Sequence, residues 1–160
     1  MDSHPYQVGS CFCPCICCGS SFIMNIVFIG ESWGEEEARF QTPFIGTPGQ
    51  ELSRMLAQAG YGNKALPYNF TSSTRMINYW DNYDFTLLNV FNERAPQNNA
   101  ELFYAKIQDQ VPLNRKLPRR KFGTSNHYLR EEYVHHVETL HKKLEALKPN
   151  VIVALGNTAL

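Results

Sequence analysis

Glu31, Phe44 and Asn89 are the side chains whose types and settings suit chemistry. Glu31 follows the apolar run Ile26-Val27-Phe28-Ile29 and Gly30, in the short loop Glu31-Ser32-Trp33-Gly34. A carboxylate there can orient water or stabilise positive charge, or it can accept backbone N–H groups of its own loop. Phe44 stands in a second punctuated loop, Thr42-Pro43-Phe44-Ile45-Gly46. Its ring serves either as a plate for a flat ligand or as a plug beneath the loop. Asn89 is embedded in the apolar run Phe85-Thr86-Leu87-Leu88-Asn89-Val90-Phe91. A buried amide must satisfy both its donor and its acceptor, with a neighbouring loop or with a ligand. In open α/β sheets ligands bind at the carboxyl ends of strands, so two loops converging above one strand define a candidate site.

The elements that must position these residues follow from periodicity. Ile26–Ile29 and Phe85–Phe91 are continuous apolar runs, suited to strands buried on both faces, and Asn150–Gly156 supplies a third. Ser32 to Glu35 fits a capping box opening a helix, and Thr47-Pro48-Gly49-Gln50 fits another with proline in its first turn. Leu52, Met55, Leu56 and Ala59 share one face of the second helix, which Gly60 stops. Gly62 to Asp84 reads as loop with some strand or helix, and Lys106 to Gln110 as a short helix. In Arg130 to Leu147, Val134, Val137, Leu140, Leu144 and Leu147 recur at three- and four-residue intervals, and Pro149 ends that helix. Asn157 to Leu160 looks like the start of another. Strands alternating with helices predict a three-layer α/β/α sandwich around a short parallel sheet, incomplete at its C-terminus.

Composition narrows the rest. The chain has 160 residues, 43% of them hydrophobic and 19% charged, with no formal net charge, as expected for one globular domain. Overall charge therefore selects no polyanionic partner, and a nucleic acid would need a local basic patch. Arg115-Lys116-Leu117-Pro118-Arg119-Arg120-Lys121 is the densest such run. It reads as solvated surface, or as a phosphate-contacting element if the partner is DNA. All five cysteines lie between Cys11 and Cys18, and no second pair completes a zinc site. Residues 1–23 read as an unstructured leader, with a metal or lipid site as the alternative. The domain spans 24–160, and translation from Met24 would leave it without cysteine and suit a reducing cytoplasm. Polar and turn residues break the stretch from Cys11 to Ile29, so no membrane span is expected. His135, His136 and His141 lack a metal-ligand pattern and read as surface or partly buried residues.

Four segments, in order, carry a resemblance. Gly30-Glu31-Ser32-Trp33-Gly34-Glu35-Glu36 and Pro43-Phe44-Ile45-Gly46-Thr47-Pro48-Gly49 resemble the GEAPGxxE and PFVGxAG motifs of the uracil-DNA glycosylase superfamily. Asn89 to Pro96 and Leu147 to Ala159 resemble the TNVVKCRPP and KPKVIVALGATA segments of its family four. The resemblance implies a DNA-repair hydrolase that flips uracil from DNA and breaks its bond to deoxyribose. It assigns catalysis to Glu31, beside the sugar, and Asn89, on the polar edge of the base. Gly30, Ser32, Trp33, Gly34 and Phe44 would bind substrate, with Phe44 stacked on uracil, and the main chain around Ser32 to Gly34 would receive the leaving charge. Arg94, Arg119 and Arg120 would contact DNA.

The departures are equally specific. Family-four enzymes hold an iron–sulfur cluster through four cysteines. Glu93 stands at one of those positions and no cysteine follows Cys18, so neither cofactor nor metal is expected. Trp33 replaces the motif's proline, which would reshape the pocket mouth, and Gly34 offers no bulk against a thymine methyl. The later His-Pro-Ser segment, with a catalytic histidine, is absent, so the chain as given is expected to turn over weakly or not at all. The expected protein is a cytoplasmic monomer acting on uracil-containing DNA. Two alternatives stay open: a nucleotide-binding α/β module, which lacks a Walker lysine, and a catalytically silent DNA-binding relative.

Overall fold

The computed structural model describes residues 24–61, 73–81, 83–106, 119–122, 124–156 and 159. Three parallel strands form its centre: β1 (Ile26–Trp33), β2 (Phe85–Arg94) and β6 (Val151–Ala154), in the order β2-β1-β6. Between them lie the helices α1 (Glu35–Phe40), α2 (Thr47–Gln58), α3 (Ser73–Trp80) and α4 (Val134–Leu147). Three short strands, β3 (Tyr104–Lys106), β4 (Arg119–Phe122) and β5 (Ser125–Leu129), form a separate antiparallel sheet in the order β3-β5-β4.

The two-residue period of β1 divides the core. Val27 and Ile29 face one side with Leu88, Val90 and Phe91, where Val134 and Leu140 of α4 and Phe103, Tyr104 and Leu129 close over them. Phe28 faces the other side with Phe44, Ile45, Leu52, Met76 and Trp80. The layers are therefore α2 and α3, the parallel sheet, and α4 with the antiparallel sheet. The α/β class and parallel sheet follow the apolar runs; the second sheet does not. Its strands Arg119-Arg120-Lys121-Phe122 and Ser125-Asn126-His127-Tyr128-Leu129 are too polar to announce a buried strand.

Several local expectations are corrected. β1 continues through Glu31, Ser32 and Trp33 where a loop was expected, because these residues go on pairing with β2, with a register shift between Ser32 and Trp33. Neither capping box forms: Gly34 and Gly46 are the N-caps, without side-chain caps. β6 is not a buried strand. It lies at the sheet edge, with Val151 and Ile152 40% and 51% exposed. Lys106 ends β3 rather than opening a helix. The expected leader (1–23), the residues 107–118 and most of the final helical start (157, 158 and 160) lie outside the described residues.

The helix stops behave as the sequence predicts. Gly60 has φ +75°, and the next N–H, of Tyr61, donates to the Leu56 carbonyl at 2.8 Å. α4 ends at Lys148 in a left-handed conformation (φ 46°), immediately before Pro149. Asn25 secures this end from β1: its amide donates to the Leu147 carbonyl, and its backbone N–H donates to Asn150 Oδ1, both at 2.8 Å.

Phe91 joins the parallel sheet to the antiparallel one. Its ring stacks on Phe103 with centroids 4.0 Å apart and meets Tyr104 and Tyr133 edge-on. Phe91→Ala should lower the unfolding free energy in urea by about 3–5 kcal/mol. A loss below about 1 kcal/mol would mean that the two sheets share no core.

Candidate functional site

A hollow of about 410 Å³ opens at the carboxyl ends of β1 and β2. Its floor is Gly30, which pairs with Asn89 across the sheet. A Cβ on Gly30 would come within 2.4 Å of Asn89 Oδ1 and 2.7 Å of Phe44 Cζ. Only a residue without a side chain lets the amide of β2 and the ring of the second loop meet there. Asn89 is 4% exposed, and Leu52, Met55 and Leu155 add apolar wall.

Phe44 is held under strain. Its φ of 57° is a left-handed conformation that an aromatic residue rarely adopts, costing on the order of 1–3 kcal/mol. Two features hold it. The Trp80 indole N–H donates to the Phe44 carbonyl at 2.7 Å from α3. Gly49 lets α2 approach so closely that a Cβ there would lie 1.8 Å from the same carbonyl oxygen. Strain concentrated at a pocket wall fits a ring whose orientation serves a ligand.

Glu37, which the sequence reading missed, joins the two loops. It is 3% exposed, and its Oε1 accepts the Gly46 N–H at 2.8 Å. Its carboxylate also fills the space above Gly34, where a Cβ would meet Oε2 at 2.6 Å. A carboxylate from α1 thus sits at the N-terminus of α2, a favourable place for negative charge and the work expected of a capping box. The one signal was position: Glu37 is the third of three consecutive acids, and only one can turn inward on a single helical turn.

At the rim, Glu31 Oε1 accepts a hydrogen bond from Arg120 Nη1 at 2.5 Å. Arg120 comes from β4 of the antiparallel sheet, 89 residues away in sequence. Burial pushes the hydroxyl of the neighbouring Tyr104 above its usual pKa, while the Arg120 guanidinium pulls the other way.

The structure brings Gly30, Glu31, Ser32, Phe44 and Asn89 into one lining. It does not bring the other candidates there. Trp33 pairs with Arg94 beyond the register shift, and its indole N–H is buried without a hydrogen-bond partner. Gly34 caps α1 behind Glu37. Arg94 lies 3.6 Å from Glu35 at the surface, and Arg119 is exposed on β4.

This is an α/β domain with a pocket at the carboxyl ends of two adjacent parallel strands, walled by an aromatic ring, an amide and a carboxylate. The family model of the uracil DNA glycosylase superfamily matches residues 21–160, and the chain belongs to that superfamily. Its enzymes are in general hydrolytic glycosylases that act on DNA and need no cofactor. No curated protein and no solved structure matches the chain. No helix among the described residues is long and apolar enough to cross a membrane.

The five cysteines, between Cys11 and Cys18, lie outside the described residues. Glu93 has its Oε2 3.5 Å from His136 Nε2 without a hydrogen bond. Burial, with the neighbouring His135, pushes the His136 pKa below 6.5 and outweighs the attraction of Glu93. The unfolded chain then takes up this proton before the native one does. The contribution of His136 to stability is complete above about pH 6.5 and is lost as pH falls through the lowered native value. Wild-type Tm should therefore fall more between about pH 7.5 and 5 than that of His136→Gln; equal falls would mean that burial does not hold this imidazole neutral.

Proposed function

We propose that the protein is a uracil-DNA glycosylase that extrudes uracil from DNA and hydrolyses its N-glycosidic bond. The observation that carries this reading is the convergence of Phe44, Asn89 and Glu31 on one hollow large enough for a base and its sugar. Phe44 stacks on the extruded ring. The Asn89 amide offers one donor and one acceptor to the polar edge of uracil; cytosine presents the opposite pattern and leaves both unpaired. Glu31 lies beside the sugar, where it orients the attacking water and stabilises the positive charge that develops as the bond breaks. The main chain at Ser32, which lines the hollow, receives the leaving base's negative charge.

Gly34 leaves no side chain against a thymine methyl, but the Glu37 carboxylate occupies that space and lines the hollow. In this reading the chain is nearest family four of the superfamily, as a branch without the cluster, and the four resembling segments support that. Its setting in this reading is the cytoplasm, and it acts as a monomer. Arg94 and Arg119 contact the phosphates that flank the flipped nucleotide.

In single-turnover assays on a labelled strand with one uracil, Glu31→Ala and Asn89→Ala should each slow base release by about 10²-fold or more, with Tm within a few degrees of wild type. Undiminished release in both would remove the site assignment. A wild-type protein that binds the strand but releases nothing would favour the catalytically silent reading. Arg119→Gln should weaken binding and reduce the slope of log K against log salt by about 0.7, one phosphate contact on a single strand.

A further inference from the structure

The alternation of β4 splits its basic run between two faces. Arg119 and Lys121 are exposed, as phosphate contacts require. Arg120 and Phe122 turn the other way. Phe122 packs on the core and meets Tyr104 edge-on at 5.5 Å. The Arg120 guanidinium lies 4.8 Å from the Phe122 ring centroid, so an aromatic face supports its plane. From that support it reaches Glu31, and the two side chains are only 21% and 32% exposed. Partial burial weakens solvent screening, so this charge-assisted bond is stronger than the exposed Arg94–Glu35 pair at 3.6 Å. A glutamate at a pocket rim otherwise samples many rotamers; one braced against a stacked guanidinium keeps one.

We propose that Arg120 is a positioning residue, not a phosphate contact: it fixes the Glu31 carboxylate at the rim of the hollow and is itself withheld from DNA. The consequence for catalysis rests on the glycosylase reading; the consequence for DNA binding rests on the ion pair alone. The two are tested separately, by uracil release from a single strand and by salt-dependent binding of a fluorescein-labelled strand carrying one non-cleavable 2′-fluoro-deoxyuridine.

Arg120→Gln should slow single-turnover release about 10- to 100-fold while leaving the salt slope at its wild-type value. Arg120→Lys should recover part of the rate, because an ammonium still attracts the carboxylate but loses the planar fork. A shallower slope in Arg120→Gln with an unchanged rate would overturn the proposal. If the wild type binds the strand but releases no uracil, the catalytic half falls with the glycosylase reading, while the salt slope of Arg120→Gln still decides whether Arg120 is a phosphate contact.

Discussion

A buried carboxylate holds the site together. Glu37 accepts the Gly46 N–H and fills the space above Gly34, so the loop after β1 and the loop before α2 are fixed against one another. A charge this enclosed is costly unless it is hydrogen-bonded, and its position at the start of α2 supplies both a donor and a favourable dipole. The geometry allows no larger residue at either glycine without displacing the carboxylate. The relative placement of Phe44 and β1 follows: once Gly46 is anchored, the strained Phe44 backbone has only Trp80 and Gly49 left to satisfy.

The parallel sheet sets where this arrangement can occur. Gly30 and Asn89 face each other in register near the carboxyl ends of β1 and β2, on the side of β1 where Phe28 packs with α2 and α3. A slip of one residue would turn Asn89 into the opposite core, among Val27, Val90 and Phe91, and bring Leu88 or Val90 to the hollow. The apolar neighbours of Asn89 therefore specify the site as firmly as Asn89 does, because their burial forbids the slip.

What could be read from the sequence was what depends on period and on position along a strand. The runs Ile26–Ile29 and Phe85–Phe91 announced two central strands. Gly30, Glu31 and Asn89 stood out as glycine or polar breaks in or just after them, and Phe44 as the aromatic ring of a punctuated loop. The partners were illegible, because they come from elements with no local signature. Arg120 sits in a short polar strand 89 residues from Glu31. Trp80 approaches Phe44 from α3, within the stretch Gly62 to Asp84 that reads as mixed loop. The capping boxes misled for the same reason: Ser32 stays in β1 because β2 offers it ladder pairing, and α2 takes its carboxylate from α1. Local propensity chose a plausible partner, and tertiary contact chose a different one.

The hollow is lined by three carboxylates, Glu31, Glu37 and Glu51, an awkward setting for a ligand with a phosphate backbone. Each is compensated from a different source. Glu37 is bonded to the Gly46 N–H at the start of α2; Glu51 is paired with Arg54 one turn along the same helix; Glu31 is held by Arg120 from the other sheet. Coulomb energies fall slowly in a partly dry site, so three uncompensated charges would repel phosphates well beyond contact distance. With each paired locally, the field at the entrance is reduced while the carboxylate oxygens remain in place. The pairing at Glu31 differs from the other two, because its cation belongs to the other sheet. The antiparallel sheet, the part of the fold least visible in the sequence, is thereby tied to the chemistry at the end of β1.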